Sequence, residues 1–272
     1  MNQGFYSTNQ NLPQMDYISW SKCSAMLKSP RGFYNKYKLG KQTPPTAAME
    51  FGRAFHSKLL EPENHKSQYA IMPDFGAMQS STNRAKRDAW KQEYFGKSFL
   101  TKEEDEQIDA MIERVREHPH ADFLQEGQSE QWGYASRENG GWLMGRPDYL
   151  SSDCVIEVKT TSRGVEWDSF FREMLNFNYH AQMALNINVA NKIRNVRHSG
   201  VFVVVSTAEP YDVAIYELPE NILVEGEAIV AEAITKIDQF LAIDPQMEDP
   251  KVWQTVELVG TTPPWFFRKT MG

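Results

Sequence analysis

The sequence predicts an α/β protein in which a central mixed sheet carries helices on both sides. Three observations carry that prediction. The run Cys154-Val155-Ile156-Glu157-Val158-Lys159-Thr160-Thr161 is rich in β-branched residues and alternates apolar with polar, as a strand does. Val201 to Val205 is apolar throughout, the pattern of a strand buried on both faces. Segments with helical apolar spacing flank these runs, giving the order helix, hairpin, helix, strand, strand, helix.

Residues 1–16 are polar, rich in Asn and Gln, and read as an extended or mobile arm. Ser19 or Ser21 can cap a helix that buries Cys23, Met26 and Leu27 and ends at Ser29-Pro30. A second amphipathic segment starts at Arg31. Its cluster of Arg31, Lys36, Lys38 and Lys41 fits a solvated helix face or, with Phe33, Tyr34 and Tyr37 between, a nucleic-acid backbone. Ala47 to Glu61 reads as one helix with Met49, Phe55 and Leu59 inward and Pro62 ending it. Met72 to Asn83 is a loop, and Arg84 starts a basic, aromatic helix. Residues 101–118 form an acidic helix opened by a Thr101/Glu104 capping box, with Ile108, Met111, Ile112 and Val115 facing the core. Ser129 to Ala135 reads as a strand, and Gly141 to Leu150 as the first arm of a hairpin turning at Ser151-Ser152-Asp153. Glu166 to about Asn191 reads as one long helix packed through Met174, Leu175, Met183 and Leu185. Val213 to Tyr216 neighbours the Val201 strand across a Pro210 turn, and Ile222 to Leu241 is a closing helix. The tail beyond Asp244 carries Trp253, Trp265, Phe266 and Phe267, and packs either on the core or on a neighbouring subunit.

Composition narrows the function. Two cysteines, Cys23 and Cys154, supply neither a disulfide framework nor a four-cysteine metal or iron–sulfur site. No apolar run is long enough to span a membrane and no signal peptide is visible at the start, so the expected location is the cytoplasm. The net charge of −7 argues against a protein coated in basic patches, but not against one with a local positive groove for phosphates. There is no Gly-x-x-x-x-Gly-Lys loop, so no ATP requirement is expected.

The chemistry concentrates in Gly145-Arg146-Pro147-Asp148 and Glu157-Val158-Lys159. Side chains alternate along a strand, so Glu157 and Lys159 share a face about 7 Å apart. Antiparallel pairing brings Asp148 beside Glu157. Carboxylates suit a hard divalent cation such as Mg²⁺. The metal polarises a phosphoryl group and activates water, and the ammonium orients that water, a combination suited to phosphodiester hydrolysis. The other acid-x-Lys triplet, Asp249-Pro250-Lys251, sits beside proline in a polar stretch and reads as loop.

Pro147-Asp148, an eight-residue gap and Glu157-Val158-Lys159 together resemble the signature of the PD-(D/E)XK nucleases. Within that superfamily the chain is similar to the RecE-type (exonuclease VIII) nuclease domains of phages and prophages, relatives of lambda exonuclease. The likeness extends to Ser29-Pro30-Arg31 with Phe33-Tyr34, to Phe51-Gly52-Arg53-Ala54-Phe55-His56, and to Tyr179-His180-Ala181-Gln182, covering roughly residues 17–245.

The resemblance implies a restriction-endonuclease-like fold and assigns roles. Asp148 and Glu157 would hold Mg²⁺, with Mn²⁺ able to substitute and the Val158 carbonyl completing the coordination. Lys159 would activate water. His56, which composition alone would leave as an ordinary core or surface histidine, and Glu130, otherwise a plain edge-strand carboxylate, would support a second ion. Gln182 and Tyr179 would line the cleft. Arg53 would hold a phosphate, Ser19 and Ser21 would contact a terminal phosphate, and Arg84, Lys86 and Arg87 would grip the strand being degraded. The implied activity is 5′-to-3′ digestion of one strand from a double-stranded DNA end by a trimeric or tetrameric ring, partnered by a RecT-like single-strand annealing protein. A structure-specific or restriction-type endonuclease on the same fold and a non-catalytic DNA-binding subunit are the alternatives.

Overall fold

Helix boundaries follow local chemistry closely. The computed structural model describes residues 3–7, 16–77, 79–124 and 126–242. The aromatic tail, residues 246–272, and its Asp249-Pro250-Lys251 triplet lie outside the described residues. Strands β1 (Gly4–Tyr6) and β2 (Tyr17–Ser19) precede α1 (Trp20–Lys28) and α2 (Pro30–Tyr37). The Ser29 hydroxyl accepts from Gly32 N at 3.0 Å and Pro30 sits in the first turn of α2, so one dipeptide ends a helix and starts the next. Thr46 caps α3 (Ala47–Leu60), and α4 (Pro62–Gln68) begins at the proline that stops it. The short parallel strands β3 (Tyr69–Ile71) and β4 (Ser98–Leu100) bracket α5 (Ser81–Glu93). Helix α6 (Lys102–Glu117) opens with the full Thr101/Glu104 box and buries the four expected apolar residues.

The remaining elements are β5 (Gly127–Ser129), β6 (Trp132–Ser136), β7 (Trp142–Gly145), β8 (Tyr149–Ser151), β9 (Cys154–Thr161), α7 (Trp167–Phe177), α8 (Tyr179–Arg194), β10 (Ser199–Ser206), β11 (Val213–Glu217) and α9 (Glu220–Ala242). They form two sheets. One has the order β1-β6-β7-β2, and the central one runs β11-β10-β9-β8-β5 with β9 and β10 parallel and its other pairs antiparallel. Part of the expected mobile arm is therefore tied down: β1 pairs with β6, Phe5 opposite Gly133.

Three expected continuous elements are broken. The strand from Ser129 divides into β5 and β6 at Glu130, whose φ of 52° no strand accommodates. The first hairpin arm divides into β7 and β8 around Pro147, which has no N–H to give a ladder. The long helix divides into α7 and α8 at Asn178, which is left-handed at φ 54°. Both strand breaks move the chain from one sheet to the other, and Glu130 N donates to the Asp148 carbonyl at 3.0 Å, holding them together.

The central sheet is the middle layer. Ile156 and Val158 of β9 join Val203 and Val205 of β10 against α3 and α6, burying Phe55, Ile108 and Met111. On the opposite face Val155, Phe202 and Val204 pack on Phe170, Met174 and Met183 of α7 and α8. A further core forms where α1, α2, α8 and α9 meet β6 and β7. Met49 and Leu175, expected inward, are exposed, because each lies near the end of its helix, beyond the strip that meets the sheet. No helix among the described residues is long and apolar enough to cross a membrane.

Phe202 is fully buried between the central strands and α7. Phe202→Ala is expected to lower the unfolding free energy by about 3–5 kcal/mol, read as a reduced midpoint in urea unfolding.

Candidate active site

The two sheet-switching points set the site. Glu130 and Asp148 lie at the two strand breaks, and His56 reaches them from α3, one residue after the buried Phe55 anchor. One ligand atom from each of His56, Glu130 and Asp148 lies within 4.8 Å of the others. One nitrogen and two carboxylate donors in a cleft fit a divalent cation of the Mg²⁺ or Mn²⁺ kind. Asp148 is fixed from both sides: Oδ2 accepts from Val158 N at 2.8 Å, and Oδ1 lies 3.5 Å from His56 Nδ1.

Strand β9 presents Glu157 and Lys159 on the face toward α8, as alternation predicts. Lys159 Nζ donates to Glu157 Oε2 at 2.8 Å. Gln182 Nε2 donates to the same oxygen at 2.7 Å, and Asn186 Nδ2 to Oε1 at 2.6 Å. Gln182 Oε1 is 3.5 Å from Lys159 Nζ, closing a small ring of polar contacts. Tyr179 places its ring 5.1 Å from the ammonium, a cation–π contact, so its role includes holding Lys159 in place. Glu157 is thus oriented by three donors and stands beside the His56, Glu130 and Asp148 trio instead of within it.

Electrostatics divide the carboxylates. Burial first, and then the Asp148 charge, push Glu130 and Glu157 each up to about 7. Burial also works against the Asp148 charge, but His56 and Lys159 outweigh it and hold this carboxyl at about 2. Burial alone would depress Lys159, yet Glu157 and Asp148 raise it and keep the ammonium charged. His56 is raised the same way, Asp148 overcoming desolvation.

The site lies in a cleft of about 1390 Å³ whose lining includes His56, Arg53, Glu130, Asp148, Val158, Lys159, Tyr179 and Gln182. Of the remaining expected residues, Ser19 is buried with its hydroxyl 3.0 Å from that of Ser21, and neither lines the cleft. Arg84, Lys86 and Arg87 do not line it either. They project from α5, a helix with no buried residue, where Arg84 bonds the Gln79 carbonyl and Arg87 bonds Asp88.

Two residues were missed. Arg146 pairs with Glu130 at 2.6 Å and lies over the Trp132 ring, so it steadies a proposed ligand. Its position next to Pro147-Asp148 was the available signal. Asn186 joins β9 to β7, taking Glu157 with its amide nitrogen and accepting from Arg146 N at 3.0 Å with its oxygen. Its place one turn beyond Gln182 on the same helix face is legible in the sequence, but the two partners it holds are not. The contact depends on Gly145, where a Cβ would come within 2.9 Å of Asn186 Oδ1 and 3.1 Å of Val189.

An acid just ahead of one strand meeting an acid-x-Lys motif on its neighbour in a mixed sheet defines the PD-(D/E)XK nuclease superfamily, and the surrounding architecture is the restriction-endonuclease-like fold. The chain belongs to the family described as PDDEXK-like domain of unknown function (DUF3799), whose model matches residues 19–252. It is similar in fold to a crystal structure from Eubacterium rectale described as a candidate exonuclease. That likeness has a TM-score of 0.59 and 14% identity over 94% of this chain and 93% of the other. A second solved structure, SSO0001, has 17% identity over 74% of this chain and 90% of its own, but a TM-score of 0.29, too low to bear on the fold. No curated protein matches the sequence.

The raised carboxylates give a pH signature. Glu130 titrates near 7 when folded and near 4.3 when unfolded. Between those values the native state holds a proton the unfolded chain has released, so metal-free stability falls as pH rises through that window. A cation bound there would replace the proton. The increase in melting temperature on adding Mg²⁺ or Mn²⁺ should therefore be larger at pH 8 than at pH 6, and Glu130→Gln should flatten the difference. Equal increases at both pH values would remove Glu130 from the ligand set.

Proposed function

We propose that this protein is a Mg²⁺-dependent, ATP-independent exonuclease that degrades one strand of linear double-stranded DNA. The observation supporting it is that Lys159 and Gln182, both bonded to the buried Glu157, line one cleft with the His56, Glu130 and Asp148 trio. Asp148, His56 and Glu130 would hold the cation, with Glu157 and the Val158 carbonyl next to it and room for a second ion. When bound, Mg²⁺ polarises the scissile phosphate and stabilises charge developing on its oxygens.

The protein's own groups do the positioning. Lys159, kept protonated by Glu157 and Asp148, orients the attacking water and offers its charge to the phosphate. Gln182 and Tyr179 keep the lysine aimed, and Asn186 keeps Glu157 from rotating. Arg53 lines the cleft and is exposed, and among the described residues its ion pair is with Glu50 on its own helix. Such a surface pair is worth little, so Arg53 is available for a substrate phosphate.

The 5′-to-3′ direction, the 3′ overhang made for recombination, the trimeric or tetrameric ring, the RecT-like annealing partner and a bacterial host cytoplasm rest on the RecE-type resemblance. Ser29-Pro30-Arg31, Phe51 to His56 and Tyr179 to Gln182 are the residues that support it.

Linear duplex labelled at either end tests the proposal. Nucleotides should be released from one end label only, in Mg²⁺ and not in EDTA, while covalently closed circular duplex stays intact. Lys159→Ala should reduce the rate by about 10²–10⁴-fold. Cutting of the closed circle would make the protein an endonuclease. Metal-independent binding without release would make it a non-catalytic DNA-binding subunit.

A further inference from the structure

We propose that Phe177 is a stacking platform for an unpaired nucleobase of the strand being cut, seated beside the nucleotide whose phosphate faces Lys159. The proposal rests on the nuclease reading of the same cleft and adds how the strand is held there.

Phe177 ends α7, lines the cleft and is 46% exposed, an unusual position for a phenyl ring in a polar site. Its ring is stacked on Tyr179 with centroids 5.5 Å apart and planes at 23°. Tyr179 in turn stacks on Phe170, which is fully buried, at 6.5 Å and 26°. A column of rings thus runs from the core to the cleft and ends at Phe177. Midway along it, the Lys159 ammonium lies against Tyr179.

The backbone makes this column possible. Residues two apart in a continuous helix point to different faces and cannot stack. The left-handed Asn178 breaks the helix between Phe177 and Tyr179, and their rings meet across the break. The same break lets α8 start at Tyr179 and carry Gln182 to Glu157.

A flat, half-exposed ring in register with the water-positioning lysine matches a nucleobase better than an aliphatic or acidic partner. Every base has a π-face, so the contact is indifferent to sequence, as an enzyme consuming a strand end requires. A base inside a duplex is already stacked on both sides, so the one that meets Phe177 has left the double helix. Met49 is also exposed in the cleft lining, but it has no ring and is not part of the column of rings beside Lys159.

The test is an abasic scan of duplexes carrying one base-free nucleotide at successive positions from the attacked end. For the wild-type protein, one position should lower kcat/KM by about tenfold. Phe177→Ala should lower kcat/KM on intact DNA by a similar factor and lose nothing more at that position. Phe177→Trp should restore the wild-type pattern, and Phe177→Leu, which keeps apolar bulk and guards against misfolding, should behave like Phe177→Ala. Wild-type rates unaffected at every abasic position, or losses from Phe177→Ala and the abasic site that multiply in full, would overturn the stacking proposal and leave the nuclease reading standing. Release of no nucleotide from any DNA by the wild-type protein would overturn the nuclease reading and this one with it.

Discussion

One backbone hydrogen bond, from Glu130 N to the Asp148 carbonyl, holds the site together. It joins the two points at which the chain leaves one sheet for the other. β5 and β8 belong to the central sheet while β6 and β7 belong to the second, and this bond extends the β5–β8 register by one step at the point where both strands turn away. The Glu130 and Asp148 side chains are left to converge on His56 instead of alternating between faces. A gap between sheets would ordinarily strand polar backbone groups. Here the gap is closed by that bond, by Asp148 accepting from Val158 N and by Asn186 accepting from Arg146 N.

The second constraint is charge. Glu157 is fully buried, and a buried carboxylate stripped of its partners costs several kcal/mol. It keeps three donors, one of them the Lys159 ammonium, and those donors come from β9 and α8. The α7–α8 break at Asn178 and the close approach at Gly145 are therefore part of the proposed catalytic arrangement, although neither residue belongs to the His56, Glu130 and Asp148 trio. The result is two unlike halves in one cleft: a trio open to a hard cation, and a lysine already fixed in direction.

Much of this was legible in the sequence. Alternation along Cys154 to Thr161 put Glu157 and Lys159 on one face, and helical spacing put Tyr179 and Gln182 together, because both patterns depend only on local geometry. The central strands and the α6 capping box were visible for the same reason. Features set by tertiary contacts were not. No composition rule marks the φ of 52° at Glu130 or the left-handed Asn178, so one strand and one helix were read through those breaks. Basic residues close together suggest phosphate contact wherever they fall, and Arg84, Lys86 and Arg87 sit on a helix that does not line the cleft. Ser19 carries the right chemistry for a terminal phosphate, but the fold buries it.

Anomalous diffraction from crystals grown with Mn²⁺ tests most directly whether two sheet-switching residues and one helical histidine make a single cation site. A peak bounded by His56, Glu130 and Asp148, with Glu157 and the Val158 carbonyl beside it, is the predicted result. A protein that crystallises in this fold with Mn²⁺ bound elsewhere, or with His56 and Glu130 turned away from the ion, would contradict that single site.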